Sequence, residues 1–117
     1  MSSELYLIVQ AKITTDDIQA FKAQAKKIKN STENEIGTIS FDVFINEEKR
    51  EDLIVEKYVN DKAFLAHMKK FTQAEFIPKL LTMQELTSIE ILGPVTDEIG
   101  EFFAKGGWPY NNYPIVM

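Results

Sequence analysis

Cysteine is absent from the 117 residues, and histidine occurs once, as His67. The lack of thiols excludes disulfides, thiolate metal ligands and cysteine nucleophiles. A single histidine without cysteine also leaves too few ligands for the usual zinc or iron sites. No glycine-rich phosphate loop and no serine on a strand-to-helix turn is apparent either. We therefore expect any activity to proceed without a metal or another common cofactor.

Long apolar runs and basic clusters are also missing. No stretch approaches the roughly 18 apolar residues that span a bilayer, and no basic segment precedes the first apolar run, as it would in a secretory signal. We therefore expect a cytoplasmic protein that does not associate with membranes. The formal net charge of -5 and the scattered lysines argue against a nucleic-acid partner, which requires concentrated positive charge.

The patterns that are present indicate a single α+β domain. Apolar residues alternate as in strands, or recur at helical spacing, in the segments 4–13 (strand), 16–29 (helix), 38–46 (strand), 53–59 (strand), 61–70 (helix) and 86–92 (strand). This β-α-β-β-α-β order is typical of a ferredoxin-like fold, in which two helices cover one side of a four-stranded antiparallel sheet. We predict that residues 1–94 form this domain. Residues 95–117 then add a C-terminal helix and an aromatic arm that packs on the domain or on a partner subunit.

The hairpin of the second and third strands determines which residues the sheet presents on each face. Pairing its two arms by polarity places these residues on the helix-covered face: Ser40, Asp42, Phe44, Ile54, Glu56 and Tyr58. The other face would carry Ile39, Phe41, Val43, Ile45, Leu53 and Val55. Such an apolar surface is too large to leave in water. We therefore expect a symmetric homodimer formed through the apolar sheet face.

His67 and Glu56 are the candidate catalytic residues. His67 shares a helical face with Phe64 and Met68 and should point toward the sheet. An inward histidine can act as a general base because its usual pKa lies near neutrality, or it can be a structural residue that is satisfied by Glu56 or by a backbone carbonyl. Glu56 on the covered face needs a partner, and the candidates are His67, Tyr58 and a bound ligand.

An aromatic set is the candidate substrate-binding surface. It consists of Phe44, Tyr58, Phe64, Phe71 and Phe76. These rings can line a pocket for a flat organic ligand, or they can simply form part of the core. The sequence leaves both interpretations open.

Two spaced motifs resemble a known family. Gly37, Phe41, Asp42 and Val43 fit the pattern Gly-x-x-x-Phe-Asp-Val, and the residues from Glu56 to His67 fit Glu-x-Tyr-x-x-x-x-Ala-x-x-x-His. This combination resembles the antibiotic biosynthesis monooxygenase domain family, in particular its quinol monooxygenase and autoinducer-processing members. The resemblance covers residues 4–94. Many members carry a second histidine shortly after the first, and the corresponding residue here is Thr72.

The resemblance implies a dimeric α+β barrel with a pocket between the helices and the sheet of each subunit. It further implies oxidation of a small quinol-like or aromatic substrate by O2 without metal or flavin. His67 would deprotonate the substrate with Glu56 as its partner, while Tyr58 and Asp42 would orient the substrate. Two other functions stay open: a non-catalytic dimeric module that binds a small ligand, and an isomerase of a small hydroxyketone.

Overall fold

The computed structural model describes residues 3–73 and 76–117. These residues form, in chain order, β1 (Leu5–Ile13), α1 (Ile18–Thr32), β2 (Thr38–Asn46), β3 (Glu51–Tyr58), α2 (Asp61–Gln73), α3 (Phe76–Leu81), β4 (Gln84–Leu92), α4 (Asp97–Gly106) and β5 (Asn111–Tyr113). The predicted α+β class is confirmed. None of the helices in these residues combines the length and the apolar character that crossing a bilayer requires.

The sheet is mixed, with the strand order β2-β3-β1-β4-β5. The pairs β2-β3, β3-β1 and β1-β4 are antiparallel, whereas β5 runs parallel to β4. The prediction of a four-stranded antiparallel sheet was therefore wrong at one edge. Parallel neighbours need a crossover connection, and α4 provides it. The side-chain amide of Asn112 strengthens this edge by donating to the carbonyls of Ile91, at 3.1 Å, and Gly93, at 2.9 Å.

The register of the β2-β3 hairpin differs by one residue from the predicted pairing. Phe41 lies opposite Glu56, Asp42 opposite Val55, and Phe44 opposite Leu53. Because a shift of one residue exchanges the two faces of a strand, Phe41 points toward the helices, and Asp42 and Phe44 point away from them. The prediction that these two residues share the face of Glu56 was therefore wrong. The register is set by the loop of residues 47–50, in which Arg50 adopts a φ of 53°.

The core lies between the sheet and the helices. Its largest fully buried side chains include Phe21, Tyr58, Phe64, Phe103, Leu5, Ile28, Ile91 and Ile99. The opposite sheet face lies open in this single chain, and we refer to it below as the open face. Its apolar side chains include Tyr6, Phe44 and Leu53, and Phe44 is 57% exposed. An apolar open face thus exists with different β2 residues from those predicted, and the homodimer stays a prediction.

Candidate active site

Strand β3 and helix α2 bring Glu56 and His67 together. The side chain of Asn60 begins α2 by accepting a hydrogen bond from the backbone of Ala63 at 2.9 Å. This start places His67 on the face that packs on the sheet, where it is 3% exposed. The Nε2 atom of His67 lies 3.6 Å from Oε1 of Glu56. The predicted inward orientation of the histidine is confirmed.

Tyr58 completes the buried polar group on β3. It lies two residues after Glu56, so both side chains project from the same face of the strand. Its hydroxyl donates a hydrogen bond to Oε1 of Glu56. Burial, followed by the charge of Glu56 and the hydrogen bond to it, raises the pKa of Tyr58 well above its usual value. The phenol therefore stays protonated and acts as a donor.

Glu35 is a site residue that the sequence reasoning missed. It lies in the loop between α1 and β2, and its Oε1 is 2.7 Å from Nδ1 of His67. The same carboxylate accepts a hydrogen bond from the hydroxyl of Thr38 at 2.8 Å, and its Oε2 is 3.2 Å from Nζ of Lys70. The loop has no periodic pattern that would have marked Glu35. The available signal was Gly37, two residues further on.

Gly37 explains how the loop reaches α2. Its φ is +96°, and a Cβ atom built on it would lie 2.7 Å from the Cβ of Ala63. Such a contact and such a backbone conformation are both suited to glycine. The carbonyl of Gly37 also accepts a hydrogen bond from the backbone of Val59 at 2.9 Å. The glycine therefore holds the loop against α2, and this close approach brings Glu35 to His67.

The pKa values of the two carboxyl groups beside His67 are shifted in opposite directions. Burial alone would raise the pKa of Glu35, but its hydrogen bond to His67 and the charge of His67, with contributions from Thr38 and Lys70, lower it overall. Burial raises the pKa of Glu56, and His67 and Tyr58 oppose this shift only in part. Glu35 is therefore an ionised carboxylate that accepts a hydrogen bond from the Nδ1–H group of His67. In the neutral ring, Nε2 then presents its lone pair toward Glu56.

A cavity of about 70 Å³ adjoins Glu56, and this volume is several times the ~10–15 Å³ that holds one water molecule. Helices α2 and α3, the C-terminal segment and the covered face of the sheet form its walls. The lining residues are Leu7, Val9, Phe41, Ile54, Glu56, Met68, Phe71, Leu80, Leu81, Gln84, Leu86, Ile89, Phe103 and Trp108. Apart from the indole of Trp108, Glu56 and Gln84 provide the polar groups in this wall. Glu56 thus lines a space whose walls are apolar except at these three residues.

The predicted substrate-binding residues fall into three groups. Phe71 lines the cavity, and Phe76 contacts the Phe71 ring with centroids 5.6 Å apart. Phe64 and Tyr58 lie behind the wall, with ring centroids 5.4 Å apart. Asp42 pairs with Nζ of Lys29 at 2.8 Å on the outer edge of the sheet, and Phe44 lies on the open face. The structure therefore does not bring Asp42 and Phe44 to the cavity of their own subunit.

The C-terminal segment contributes one wall of the cavity through Phe103 and Trp108. The Trp108 ring packs on Phe102 with centroids 5.7 Å apart. A Cβ atom at Gly106 would lie 2.7 Å from the Trp108 ring, so this position favours glycine. The sequence had left open whether this aromatic arm closes over a pocket of its own domain or packs on a partner subunit.

Thr72 and the possible metal ligands also bear on the chemistry. Thr72 is exposed, and its hydroxyl donates to the α2 carbonyls of Met68, at 3.0 Å, and Lys69, at 2.9 Å. It therefore does not take the place of a second site histidine. Within residues 3–73 and 76–117, no group of three or more His, Asp or Glu residues is arranged to hold a metal ion.

Comparisons with solved structures show where this fold occurs. MupZ from Pseudomonas fluorescens is 17% identical, with a TM-score of 0.84 over 99% of this chain and 93% of that chain. A putative antibiotic biosynthesis monooxygenase from Nitrosomonas europaea is 19% identical, with a TM-score of 0.66 over 83% of this chain and 95% of that chain. SnoaB, a cofactor-independent oxygenase from Streptomyces nogalater described as its N63A mutant, is 6% identical, with a TM-score of 0.68 over 81% of this chain and 96% of that chain.

These identities show similarity of fold alone. The similarity to MupZ extends over nearly the whole chain, including the C-terminal segment that lines the cavity. No curated protein matches the sequence significantly. The sequence model of the family described as antibiotic biosynthesis monooxygenase matches residues 5–79, which is more than half of the chain. The protein therefore belongs to the antibiotic biosynthesis monooxygenase family.

Proposed function

We propose that this protein is a cofactor-independent monooxygenase that oxidises a small quinol-like or aromatic substrate with O2. The observation that carries the proposal is the buried Glu56, which lines a largely apolar cavity and whose carboxylate lies 3.6 Å from Nε2 of His67. Family membership and the shared fold with SnoaB, a cofactor-independent oxygenase, support the reaction class.

Glu56 is the group that would contact the substrate. The apolar walls favour a flat, uncharged ring, and the carboxylate accepts the proton of its hydroxyl group. Burial raises the pKa of Glu56, so its carboxylate is a stronger base than an ordinary one, and proton transfer from a phenol becomes less unfavourable. His67 then takes the proton from Glu56 at Nε2. Phe71 and Trp108 would position the ring from opposite elements.

The oxidation needs no external reductant. The deprotonated substrate, as its carbanion form, gives one electron to O2, and the two radicals combine to form a carbon–oxygen bond. The resulting peroxide anion takes the stored proton back from the Glu56–His67 pair. Loss of the hydrogen on the carbon that now bears the peroxide, with cleavage of the O–O bond, leaves a carbonyl group and one molecule of water. The substrate thus provides all four electrons that O2 accepts.

Two other functions would use the same cavity. An isomerase of a small hydroxyketone would use Glu56 and His67 to move a proton between neighbouring carbons without O2, and the paired acid and base favour this candidate. A non-catalytic module would bind a small apolar ligand there. The cavity wall has no cationic side chain among its lining residues, which disfavours a phosphorylated ketone.

We also propose that a second copy of the chain covers the open face. Tyr6, Phe44 and Leu53 are exposed on it, and a symmetric dimer buries such side chains on both copies at once. The aromatic or quinol-like substrate and the second subunit are then the two partners of each chain. A cytoplasmic location stays a prediction.

Oxygen uptake with a panel of reduced quinones and related phenols tests the proposed reaction. We expect Glu56→Gln and His67→Ala each to lower kcat/KM by at least about a hundredfold, since general acid–base groups typically contribute that much. Glu85→Gln is the matched control, because Glu85 is an exposed carboxylate on β4, and it should leave kcat/KM unchanged. With isotopically labelled O2, one labelled atom should appear in the organic product.

Each alternative has its own result in this experiment. Conversion of a hydroxyketone under anaerobic conditions would replace the monooxygenase with the isomerase. Tight binding without turnover of any substrate would favour the non-catalytic module. Equal rates of the wild type and Glu56→Gln would remove Glu56 from the mechanism.

A further inference from the structure

We propose that Glu35 is a positioning residue for His67. It holds the ring as the Nδ1–H tautomer and stabilises the positive charge that the ring acquires when it takes a proton from Glu56. This role rests on the proposed function, because it assigns Glu35 to the proton transfer of that reaction. The tautomer part of the proposal can be measured without any activity.

The surroundings of His67 leave it two polar contacts among the described residues. Aromatic rings surround it at centroid distances of 5.7 Å for Phe41, 5.5 Å for Tyr58 and 5.4 Å for Phe71. The remaining directions lead to Glu35 at Nδ1 and to Glu56 at Nε2. A proton on this ring therefore lies between two carboxyl groups, inside a wall of aromatic side chains.

The contact with Glu35 decides which ring nitrogen carries the proton. Nδ1 is 2.7 Å from a carboxylate oxygen that also accepts a hydrogen bond from Thr38. A lone pair on Nδ1 would face that negative charge, so the proton must reside on Nδ1. Nε2 has no hydrogen-bond partner in the described residues, and its lone pair is free to receive the proton of Glu56.

Glu35 is also connected to the surface, unlike Glu56. Its side chain is 12% exposed, and its Oε2 contacts Nζ of Lys70, whose side chain is 44% exposed. The carboxylate can therefore keep its charge at moderate cost, whereas a second buried carboxylate at this place would be expensive. Glu35 and His67 are 32 residues apart in the sequence. The close approach of the loop to α2 at Gly37 brings them together. Catalytic sites commonly combine a reacting group, a base that contacts it and a third group that orients the base.

Nuclear magnetic resonance of isotope-labelled histidine tests the tautomer directly. Because the chain has one histidine, the spectrum contains one imidazole ring, and only its two nitrogens have to be distinguished. In the neutral ring of the wild type we expect a protonated Nδ1 and an unprotonated Nε2. Glu35→Leu should move the proton to Nε2, the position that free histidine prefers. Glu35→Gln, whose amide oxygen can still accept from Nδ1, should retain the wild-type tautomer.

Steady-state kinetics then test whether Glu35 stabilises the positive charge on the His67 ring. With the best substrate from the oxygen-uptake panel, both Glu35 variants should lower kcat by about tenfold or more, because general acid–base catalysis depends on the stabilised ring. KM should change little, since Glu35 does not line the cavity. Glu33→Gln is the matched control, because Glu33 is an exposed carboxylate of the same loop, and it should change neither the tautomer nor kcat.

Three results would overturn the proposal. A wild-type ring protonated at Nε2 would contradict the positioning role whether or not the protein is active. Unchanged kcat in Glu35→Gln would contradict the electrostatic role, and it can be read even if Glu35→Leu does not fold. A fall in kcat with a rise in KM and a loss of thermal stability in Glu35→Gln would show that the residue serves the fold instead. A wild type without turnover would refute the proposed function, while the tautomer measurement would still decide whether Glu35 positions His67.

Discussion

Asp52 is a buried carboxyl group at the far end of β3 from Tyr58, and its ionisation should limit the stability of the fold at neutral pH. The residue is 1% exposed. In the amide orientation that satisfies both residues, Nε2 of Gln84 donates to both carboxylate oxygens, at 2.9 and 3.0 Å. Burial raises the pKa of Asp52 from its ordinary 3.8 to about 7. The substitution Asp52→Asn keeps the shape of the side chain and removes the ionisable group.

The size of the effect follows from proton linkage. A carboxyl group whose pKa is higher in the folded state binds more protons there than in the unfolded chain, so stability falls as pH rises between the two values. A pKa raised from 3.8 to about 7 corresponds to roughly 4 kcal/mol, at 1.36 kcal/mol for each tenfold change in proton affinity. This figure is an upper bound, because the hydrogen bonds from Gln84 stabilise the carboxylate.

Urea unfolding at several pH values between about 4 and 8 measures this contribution. We expect Asp52→Asn and the wild type to have similar free energies of unfolding near the low end, and the variant to be more stable near the high end. The raised pKa of Glu56 gives both proteins a slope of the same sign, so the difference between them isolates Asp52. Asp16→Asn, at an exposed carboxylate, should not change the slope. A difference in the free energy of unfolding between wild type and Asp52→Asn that is independent of pH would show that Asp52 does not titrate with a raised pKa in the folded state.

Three further outcomes follow from the site and the open face. Trp108→Ala removes one wall of the cavity and should extend turnover or binding to larger rings, as measured across a series of substrate sizes; an unchanged size limit would contradict the role of the C-terminal wall. Tyr58→Phe deletes the hydroxyl that donates to Glu56 and should cost about 1–3 kcal/mol of stability in urea unfolding when Glu56 is ionised, and less at low pH. Leu53→Lys places a charge on the open face and should shift the proposed dimer to monomer in sedimentation experiments, and a monomeric wild type would contradict the dimer itself.

The parts of the site that sequence reasoning found have strong local periodicity. The alternation of β3 puts Glu56 and Tyr58 on one face, and the helical spacing of α2 turns His67 to the same side. Because both patterns are determined within a few residues, the meeting of Glu56 and His67 could be predicted. Predicting the contact between Glu56 and His67 did not require the conformation of any loop.

The parts that were missed depend on loops and edges. The side that Asp42 and Phe44 occupy was set by the four-residue hairpin loop with Arg50 at positive φ, and polarity matching pointed to the other register. Glu35 reaches His67 through a loop whose path depends on Gly37. The strand β5 has only three residues, all of them exposed, and so short a polar segment gives no alternation to detect.

The short length of β5 has a consequence for how a substrate would reach the cavity. This strand and α4 lie on either side of Trp108. The α4 side is anchored in the core by Ile99 and Phe103, whereas on the other side the segment is held to the sheet by the few hydrogen bonds of β5, among them the one from the Gly93 amide to the Tyr113 carbonyl at 2.9 Å. Segments with few buried contacts open locally at much lower free energy than the core. The amides of β5 should therefore exchange with solvent far faster than those of β1, and access to the cavity would be controlled by this local equilibrium while the rest of the fold stays intact.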